Sequence, residues 1–231
     1  MAVRNPSSPT PRRRRSAEAR AEFRQALVDE AKRLLIEHGP DALTIRAVTQ
    51  PLGASLMAFY TYFDGKQDLL RAVWGEYVCE LHQALLAAAP PGTPPLQALR
   101  AHVETFIAYW EAHPDFYRIV YHPALTIEST LESARADPVY AEMLELGRRR
   151  VAAVVGADVT DPDLLAQAEM MFTKGVGFLH TTIVLRRFPV ADCGRLRRLV
   201  IDDIVDSLAR KRLDADQRPG REPGSTRRRR G

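Results

Sequence analysis

The sequence predicts an all-α protein of about nine helices, in which a small three-helix domain precedes a larger helical domain. Over most of the chain, apolar residues recur at three- and four-residue spacing, which is the periodicity of one helical face. The sequence contains neither the alternating pattern of half-buried strands nor a glycine-rich loop of the kind that binds phosphate groups. With 45% apolar residues, a chain of 231 residues can form a core in each of two domains.

A basic, proline-rich segment comes first and a helix follows it. Residues 1–16 contain too few apolar residues to fold alone, so we expect a disordered basic arm. From about Ala17 to His38, apolar residues line one helical face, which predicts the first helix of a domain that extends over residues 17–80. Gly39-Pro40 is a strong stop signal for this helix.

Two short helices separated by a tight turn are predicted between Thr44 and Phe63. Thr44 and Ser55 are good N-cap residues, because their hydroxyls accept hydrogen bonds from free N–H groups of the first turn. Gly53 is expected in the left-handed conformation that closes a helix. Pro51 lacks an N–H, so the first of the two helices should end one or two residues early or bend. This arrangement is a helix-turn-helix unit, whose second helix can enter a DNA major groove, although a plain structural hairpin has the same pattern.

The next helix begins near Asp64, which is predicted to cap it, and Gln67 would complete a capping box. Lys66 then lies at a helix N-terminus, where backbone N–H groups favour a phosphate, although a solvated lysine is the alternative. Apolar residues continue at helical spacing until the stop at residues 90–92.

Between Arg20 and Tyr77 the chain contains a characteristic set of residues. The set comprises Gly39, the Leu43-Thr44 pair, Leu52-Gly53, Ser55, the Phe59-Tyr60-x-Tyr62-Phe63 run, Lys66 and the Asp68-Leu69-Leu70 run. This set resembles the TetR/AcrR family of transcriptional regulators, and elsewhere the resemblance is architectural. It implies a helix-turn-helix DNA-binding domain followed by a helical ligand-binding and dimerisation domain. It also implies a dimeric repressor that binds operator DNA, contacts the DNA backbone through Lys66, and is released by a small hydrophobic effector.

DNA contacts are expected from the two short helices and the start of the next one. Base edges are usually read by Arg, Lys, Asn or Gln, whereas the second helix offers Leu56, Met57 and Ala58. These residues either contact thymine methyl groups or leave readout to DNA shape. In the alternative, Leu56 and Met57 are buried and only Tyr60 and Thr61 face DNA. The resemblance implies a phosphate contact for Tyr60. The expected DNA-binding residues are Thr44, Arg46, Ser55, Leu56, Met57, Ala58, Tyr60, Thr61 and Lys66.

The second domain, residues 81–213, is rich in large apolar and aromatic side chains. Such residues line small-molecule pockets between helices, although core packing is the commoner role for each one. The expected ligand-binding residues are Phe106, Trp110, Tyr117, Met171 and Phe178. His102 or His180 is the candidate polar contact, and a neutral core histidine is the alternative role for each. The resemblance implies that the last two helices, about residues 163–187 and 194–213, pair with their copies in a homodimer.

The net charge of +4 is unevenly distributed. Residues 1–75 carry 12 Lys and Arg against 8 Asp and Glu, and residues 217–231 carry 6 against 1. The segment between them, residues 76–216, carries 15 against 20. Basic ends beside the helix-turn-helix favour a polyanion such as DNA, and residues 214–231, which include Arg227 to Arg230, should form a disordered basic tail.

Several classes of protein are disfavoured. No apolar run approaches the roughly 18 residues of a membrane span, and the N-terminus does not resemble a signal peptide, so we expect a cytoplasmic protein with no membrane partner. Cys79, Cys193 and the histidines lack metal-ligand spacing, so neither a metal nor a cofactor is expected. An enzyme ranks last, because no catalytic constellation stands out. The main alternative is a ligand-binding or scaffolding protein of the same fold with degenerate, non-specific DNA binding, which Pro51 and the apolar second helix motivate.

Overall fold

The computed structural model describes residues 11–120, 137–185 and 188–216, and helices are the only regular elements in these ranges. The α-helices of this part are α1 (Pro11–His38), α2 (Ile45–Thr49), α3 (Leu56–Phe59), α4 (Lys66–Ala88), α5 (Pro95–Ala112), α6 (Pro114–Val120), α7 (Pro138–Val155), α8 (Pro162–Leu179) and α9 (Cys193–Asp216). A 3-10 turn (Pro40–Ala42) follows α1, and a π-helical turn (His180–Val184) extends α8. The predicted all-α class is confirmed.

The first helix is longer than predicted. It begins at Pro11, before the predicted start near Ala17, so the basic block of Arg12 to Arg15 belongs to a helix. The prediction of a disordered arm is therefore wrong for residues 11–16, while residues 1–10 lie outside the described part. Proline at the first helical position has no N–H to leave unpaired, and arginine is a strong helix former, so this sequence can extend the helix.

The last helix also extends beyond its predicted end. It continues to Asp216, so the predicted disordered tail is wrong for residues 214–216. The arginine run from Arg227 to Arg230 lies outside the described residues.

The chain divides into two compact units. The first comprises the described residues of Met1–Glu80 and Asp115–Tyr140, and the second comprises those of Leu81–Pro114 and Ala141–Gly231. The predicted domain of residues 17–80 did not include the segment that contains α6. Aromatic packing explains why this segment joins the first unit: the ring of Phe116 stacks on that of Tyr77.

The first unit has an apolar core formed by one face of α1 and by residues of the next three helices. Its fully or almost fully buried members include Leu27, Val28, Ala31, Leu35, Leu43, Val48, Phe59, Phe63, Leu69 and Val73. The rings of Phe59 and Phe63 lie with their centroids 5.6 Å apart in this core. Because burying each such side chain contributes roughly 1.5–3 kcal/mol, the core supports two helices that are too short to be stable alone.

The second unit packs α5, α7, α8 and α9 together. Its buried apolar residues include Leu99, Val103, Ile107, Val151, Leu164, Leu179, Ile201, Ile204 and Leu208. Three ion pairs join α9 to its neighbours: Lys174 Nζ lies 2.6 Å from Asp203 Oδ2, and Arg100 Nη1 lies 2.8 Å from Asp202 Oδ1. In the third, Arg197 Nε lies 3.2 Å from Glu111 Oε2. All three pairs are accessible to solvent and each contributes at most about 1 kcal/mol, so the apolar core holds this unit together.

Candidate nucleic-acid interface

Both helices of the helix-turn-helix begin at the predicted caps. Thr44 Oγ1 accepts a hydrogen bond from the Ala47 N–H at 3.1 Å, and Ser55 Oγ accepts one from the Ala58 N–H at 3.1 Å. Each cap satisfies an N–H that has no partner within its helix, which contributes about 1 kcal/mol and fixes where the helix starts.

The turn between α2 and α3 is closed by two backbone hydrogen bonds. The Ala54 N–H donates to the Thr49 carbonyl at 3.0 Å, and the Gly53 N–H donates to the Gln50 carbonyl at 3.1 Å. With Gly53 at a φ of 61°, this nested pair is a Schellman motif. Pro51 predicted that α2 would end one or two residues early, and the regular part of α2 does end at Thr49. Pro51 therefore shortens the helix, while the turn that positions α3 is retained.

The outward face of α3 is apolar and exposed. Leu56 is 51% exposed, Met57 78% and Tyr60 54%, so the alternative in which Leu56 and Met57 are buried is wrong. The hydroxyls beside them already have partners, because Ser55 caps the helix and Thr61 Oγ1 donates to the Met57 carbonyl at 3.3 Å. This surface consequently offers methyl and methylene groups and one phenol, and its two aliphatic hydroxyls bond to its own backbone.

The basic candidates flank α3. Arg46 is exposed on α2, and Lys66 is the half-buried first residue of α4. The carboxylate that caps this end of α4 is that of Asp68, whose Oδ2 accepts from the Asp64 N–H at 3.1 Å. Because α4 begins at Lys66, Asp68 occupies the third helical position. Asp68 therefore makes the capping-box hydrogen bond that the sequence had assigned to Gln67. The remaining candidate, Ala58, is half-buried.

Aromatic contacts hold α3 in place from behind. Phe59 is fully buried and meets the ring of Tyr60 edge-on at 5.5 Å. On the α1 side, the Phe23 and Tyr62 rings lie 5.2 Å apart, which supports the packing role predicted for Tyr62. The Arg24 guanidinium lies 4.8 Å from the centre of the Phe63 ring, a cation–π geometry. Rigid support of this kind keeps the exposed face of α3 in a fixed orientation.

The five predicted ligand-binding residues are distributed over both units. Tyr117 is buried on α6 of the first unit, whereas Phe106, Trp110, Met171 and Phe178 belong to the second. Phe106 packs closely on α8, with its ring 3.6 Å from the position that a β-carbon on Gly175 would occupy. Trp110 and Phe178 are buried in the core. These residues remain predicted ligand contacts.

A cleft of about 510 Å³ lies between α8 and α9 in the second unit. Its lining residues are Asp163, Ala166, Gln167, Met170, Met171, Lys174, Ile204, Ser207, Leu208 and Lys211. Met171 is the one predicted ligand residue among them. Periodicity identifies apolar side chains but not the neighbouring helix that each of them faces, so the sequence did not indicate this cleft.

Of the two candidate polar contacts, His102 is buried on α5 and His180 is half-buried in the π-helical turn. Burial, together with the positive charge of Arg150, lowers the pKa of His102 to about 4, so its imidazole is neutral at pH 7. In the described ranges, no group of three or more His, Cys, Asp or Glu is arranged to hold a metal ion. No helix in those ranges combines the length and apolarity needed to cross a membrane.

Comparisons with known proteins agree with this geometry. The family model for bacterial regulatory proteins of the TetR family matches residues 27–73. The chain is similar to a TetR transcription regulator from Haloarcula marismortui, with a TM-score of 0.64 and 19% identity over 81% of this chain and 98% of that one. A comparison with curated protein sequences finds no significant match.

Two further solved structures have the same fold. The fatty acid degradation regulator FadR from Bacillus halodurans is similar with a TM-score of 0.62 and 16% identity over 86% of this chain and 97% of that one. A TetR/AcrR transcriptional regulator from Thermobifida fusca is similar with a TM-score of 0.59 and 18% identity over 80% of this chain and 97% of that one. The residues matched by the family model begin in α1 and end in α4, so the first unit contains a helix-turn-helix domain of the TetR type, and the solved structures show that the fold is shared over most of the chain.

Proposed function

We propose that this protein is a transcriptional regulator of the TetR family, a repressor that binds operator DNA as a homodimer and is released by a small hydrophobic effector. The observation that carries the proposal is the face of α3, which is capped, supported from behind and exposed. In this proposal α3 enters the major groove, while Arg46, Tyr60 and Lys66 contact phosphates on either side. Thr44 and Ser55 contribute by fixing the starts of α2 and α3, since their hydroxyls are already bonded.

Base readout by α3 is proposed to depend on thymine methyl groups. Paired hydrogen bonds from Arg, Lys, Asn or Gln are the usual way to read base edges, and α3 carries none of these residues. The exposed Leu56 and Met57 instead offer apolar surface, and the thymine methyl is the apolar group in the major groove. Removing one such methyl contact should cost about 0.8 kcal/mol, or roughly a fourfold loss of affinity.

The operator can be identified by selecting random DNA for binding at physiological salt. The selected DNA should bind about 10³-fold or more tightly than a scrambled duplex of equal length. If both duplexes bind equally and lose affinity together as salt rises, the protein is instead a TetR-fold ligand-binding or scaffolding protein with non-specific DNA binding. This measurement decides between the two functions that the sequence left open.

Replacing single thymines of the selected operator by deoxyuridine removes only the methyl group. We expect one or two positions in each half-site to lose about fourfold in affinity. In the Met57→Ala protein the same positions should become insensitive to the replacement. Leu96→Ala is the matched control, because Leu96 is an exposed leucine on α5, outside the helix-turn-helix, and should leave the sensitivity unchanged. Uniform insensitivity of the wild type would instead favour readout of DNA shape.

The proposed dimer contact uses α8 and α9 of each copy, in a four-helix arrangement. Met170 on α8 and Leu199 on α9 are both more than half exposed, which supports a covered face there. A two-fold dimer would present two α3 helices to half-sites about 34–36 Å apart, or a multiple of that distance. Sedimentation should find a dimer for wild type and a monomer for Met170→Glu. Leu96→Glu introduces the same charge at an exposed residue of α5 and should remain dimeric.

We place the proposed effector site in the second unit, because buried polar atoms occur there among apolar side chains. The name of the Bacillus halodurans FadR says that it regulates fatty acid degradation, but at 16% identity it supports the fold alone. The chemistry of the effector is therefore argued from the residues of this chain.

A further inference from the structure

Four buried polar atoms in the second unit have no hydrogen-bond partner among the described residues, and one of them, Nε of Arg197, lies 3.2 Å from Oε2 of Glu111 in an ion pair. The other three atoms form no ion pair among those residues. They are Nδ1 of His102 on α5, Nε of Arg150 on α7 and Oε1 of Gln167 on α8. A buried polar atom without a hydrogen-bond partner is unfavourable, so native proteins contain few such atoms. Each one is therefore a candidate for a hydrogen bond to a bound molecule. Three such atoms on three helices of one unit suggest a common missing partner.

The three helices that carry these atoms meet at Gly147 of α7. The position that a β-carbon on Gly147 would occupy lies 3.6 Å from Nε2 of His102 and 3.5 Å from Cε of Met171. Arg150 follows Gly147 by one turn of α7, and Gln167 precedes Met171 by one turn of α8. The absence of a side chain at Gly147 thus allows His102 of α5 and Met171 of α8 to approach α7 closely, at a place one helical turn from Arg150 and from Gln167.

The charge of this region is positive and lacks a counter-ion. Nη2 of Arg150 donates to the Ala89 carbonyl at 2.7 Å, which fixes one edge of the guanidinium and leaves Nε without a partner. Among the residues that the structure describes, Arg150 forms no ion pair. Because the buried His102 is neutral at pH 7, it can donate a hydrogen bond from Nδ1 without adding charge. A guanidinium whose Nε is buried is stabilised by an anion, and its planar fork matches a carboxylate.

We propose that Arg150, His102 and Gln167 bind the carboxylate of an amphipathic carboxylic acid, which is the effector of this regulator. The guanidinium donates from Nε and the imidazole donates from Nδ1. Gln167 donates from its amide nitrogen once the amide rotates to exchange oxygen and nitrogen. The apolar part of the acid extends past Met171 and toward Phe106, one turn from His102 on α5. This assignment rests on the proposed function, since it supplies the chemistry of the proposed effector.

Calorimetry with matched ligands tests the assignment on the wild-type protein. The probes are straight-chain carboxylates from hexanoate to dodecanoate and the primary amides of the same chains, which have similar size but no charge. Charge-assisted hydrogen bonds should make the best carboxylate bind roughly 10- to 100-fold more tightly than its amide. If no chain length binds, or if acid and amide bind equally, the assignment is overturned. The assignment is also overturned if inorganic phosphate binds and the affinity for the carboxylates does not depend on their chain length.

Variants locate the binding site. Arg150→Gln should remove the preference for carboxylate over amide, whereas Arg149→Gln, an exposed arginine of the same helix, should retain it. His102→Gln keeps a hydrogen-bonding side chain and should reduce the preference in part, which provides a second variant if Arg150→Gln does not fold. Identical preferences in Arg150→Gln and Arg149→Gln would overturn the assignment.

DNA binding separates this inference from the proposed function. The tightest carboxylate should release the selected operator from the wild type and not from Arg150→Gln, which should still bind the operator. If the protein selects an operator and dimerises but binds none of the carboxylates, this inference is wrong and the proposed repressor function stands. If the protein binds carboxylates in this way but selects no operator, the proposed function is wrong instead.

Discussion

The phenol ring of Tyr77 on α4 stacks on the phenyl ring of Phe116 on α6, with the ring centroids 3.5 Å apart and the planes inclined by 12°. Lys32 of α1 places its ammonium 5.2 Å from the centre of the Tyr77 ring and forms an ion pair with Glu76. Burial raises the pKa of Tyr77, so the phenol stays neutral. The ring contacts of Phe116 with Tyr77 and with Trp74, whose centroid lies 6.3 Å away, therefore join α6 to the unit that carries the helix-turn-helix.

Phe116→Ala should lower the free energy of unfolding by about 3–5 kcal/mol, because it removes a buried ring and leaves a cavity against Tyr77. Urea denaturation measures the change. The matched control is Phe188→Ala: Phe188 is 61% exposed, so its loss should change stability by no more than about 0.5 kcal/mol. Equal effects of the two substitutions would show that the stack contributes little.

Local signals allowed the helix-turn-helix to be predicted from the sequence. The caps at Thr44 and Ser55 and the left-handed Gly53 each depend on residues no more than a few positions away, so the sequence pattern alone indicates them. The same holds for Pro51, whose missing N–H ends α2 early.

Other features depend on contacts between residues far apart in the sequence. No local pattern indicates that Phe116 stacks on Tyr77, so the predicted domain of residues 17–80 omitted α6. Arg150 was missed for a related reason, since an arginine in an amphipathic helix is ordinarily solvated and the burial of its Nε atom depends on tertiary packing. The periodicity of apolar residues predicts helices, and their tertiary contacts decide which polar atoms become buried.

Alanine should have opposite effects at two glycines of the first unit. Gly53 has a φ of 61°, a left-handed conformation that costs an L-residue roughly 1–2 kcal/mol, so Gly53→Ala should destabilise the protein by about that amount. Gly75 lies inside α4 with open space around the position of a β-carbon, so Gly75→Ala should stabilise by about 0.5–1 kcal/mol. Thermal unfolding of the two variants measures both signs. A neutral Gly53→Ala would mean that the turn accepts another conformation.

Lys66→Ala should weaken binding to every DNA sequence to a similar extent and lower the slope of log affinity against log salt by about one. The reason is that a phosphate contact releases a counter-ion and carries no sequence information. Arg33→Ala is the control, because Arg33 is an arginine of the same unit whose charge is already paired with Glu30 and Glu37. The role proposed for Lys66 is wrong if its loss changes sequence preference and leaves the salt slope unchanged.

Acidification should destabilise the protein through His102. An imidazole with an ordinary pKa of 6.5 in the unfolded chain takes up a proton near that pH, whereas burial lowers the pKa in the folded protein to about 4. Between these two values the unfolded state binds more protons, so stability is highest above pH 6.5 and falls as the pH decreases toward 4. At 1.36 kcal/mol per pKa unit, the loss between pH 7 and pH 5 should be about 2 kcal/mol.

Urea denaturation of wild type and His102→Gln at pH 7, 6 and 5 isolates this contribution, because both proteins share every other titrating group. The stability of the variant should fall less steeply than that of wild type, by about 2 kcal/mol over the range. His38→Gln serves as the control, since it replaces a histidine whose side chain is 57% exposed. Parallel curves for wild type and His102→Gln would mean that His102 takes up its proton in the folded protein as readily as in the unfolded chain. The neutral imidazole proposed to donate to the effector would then be protonated in much of the protein near pH 6.5.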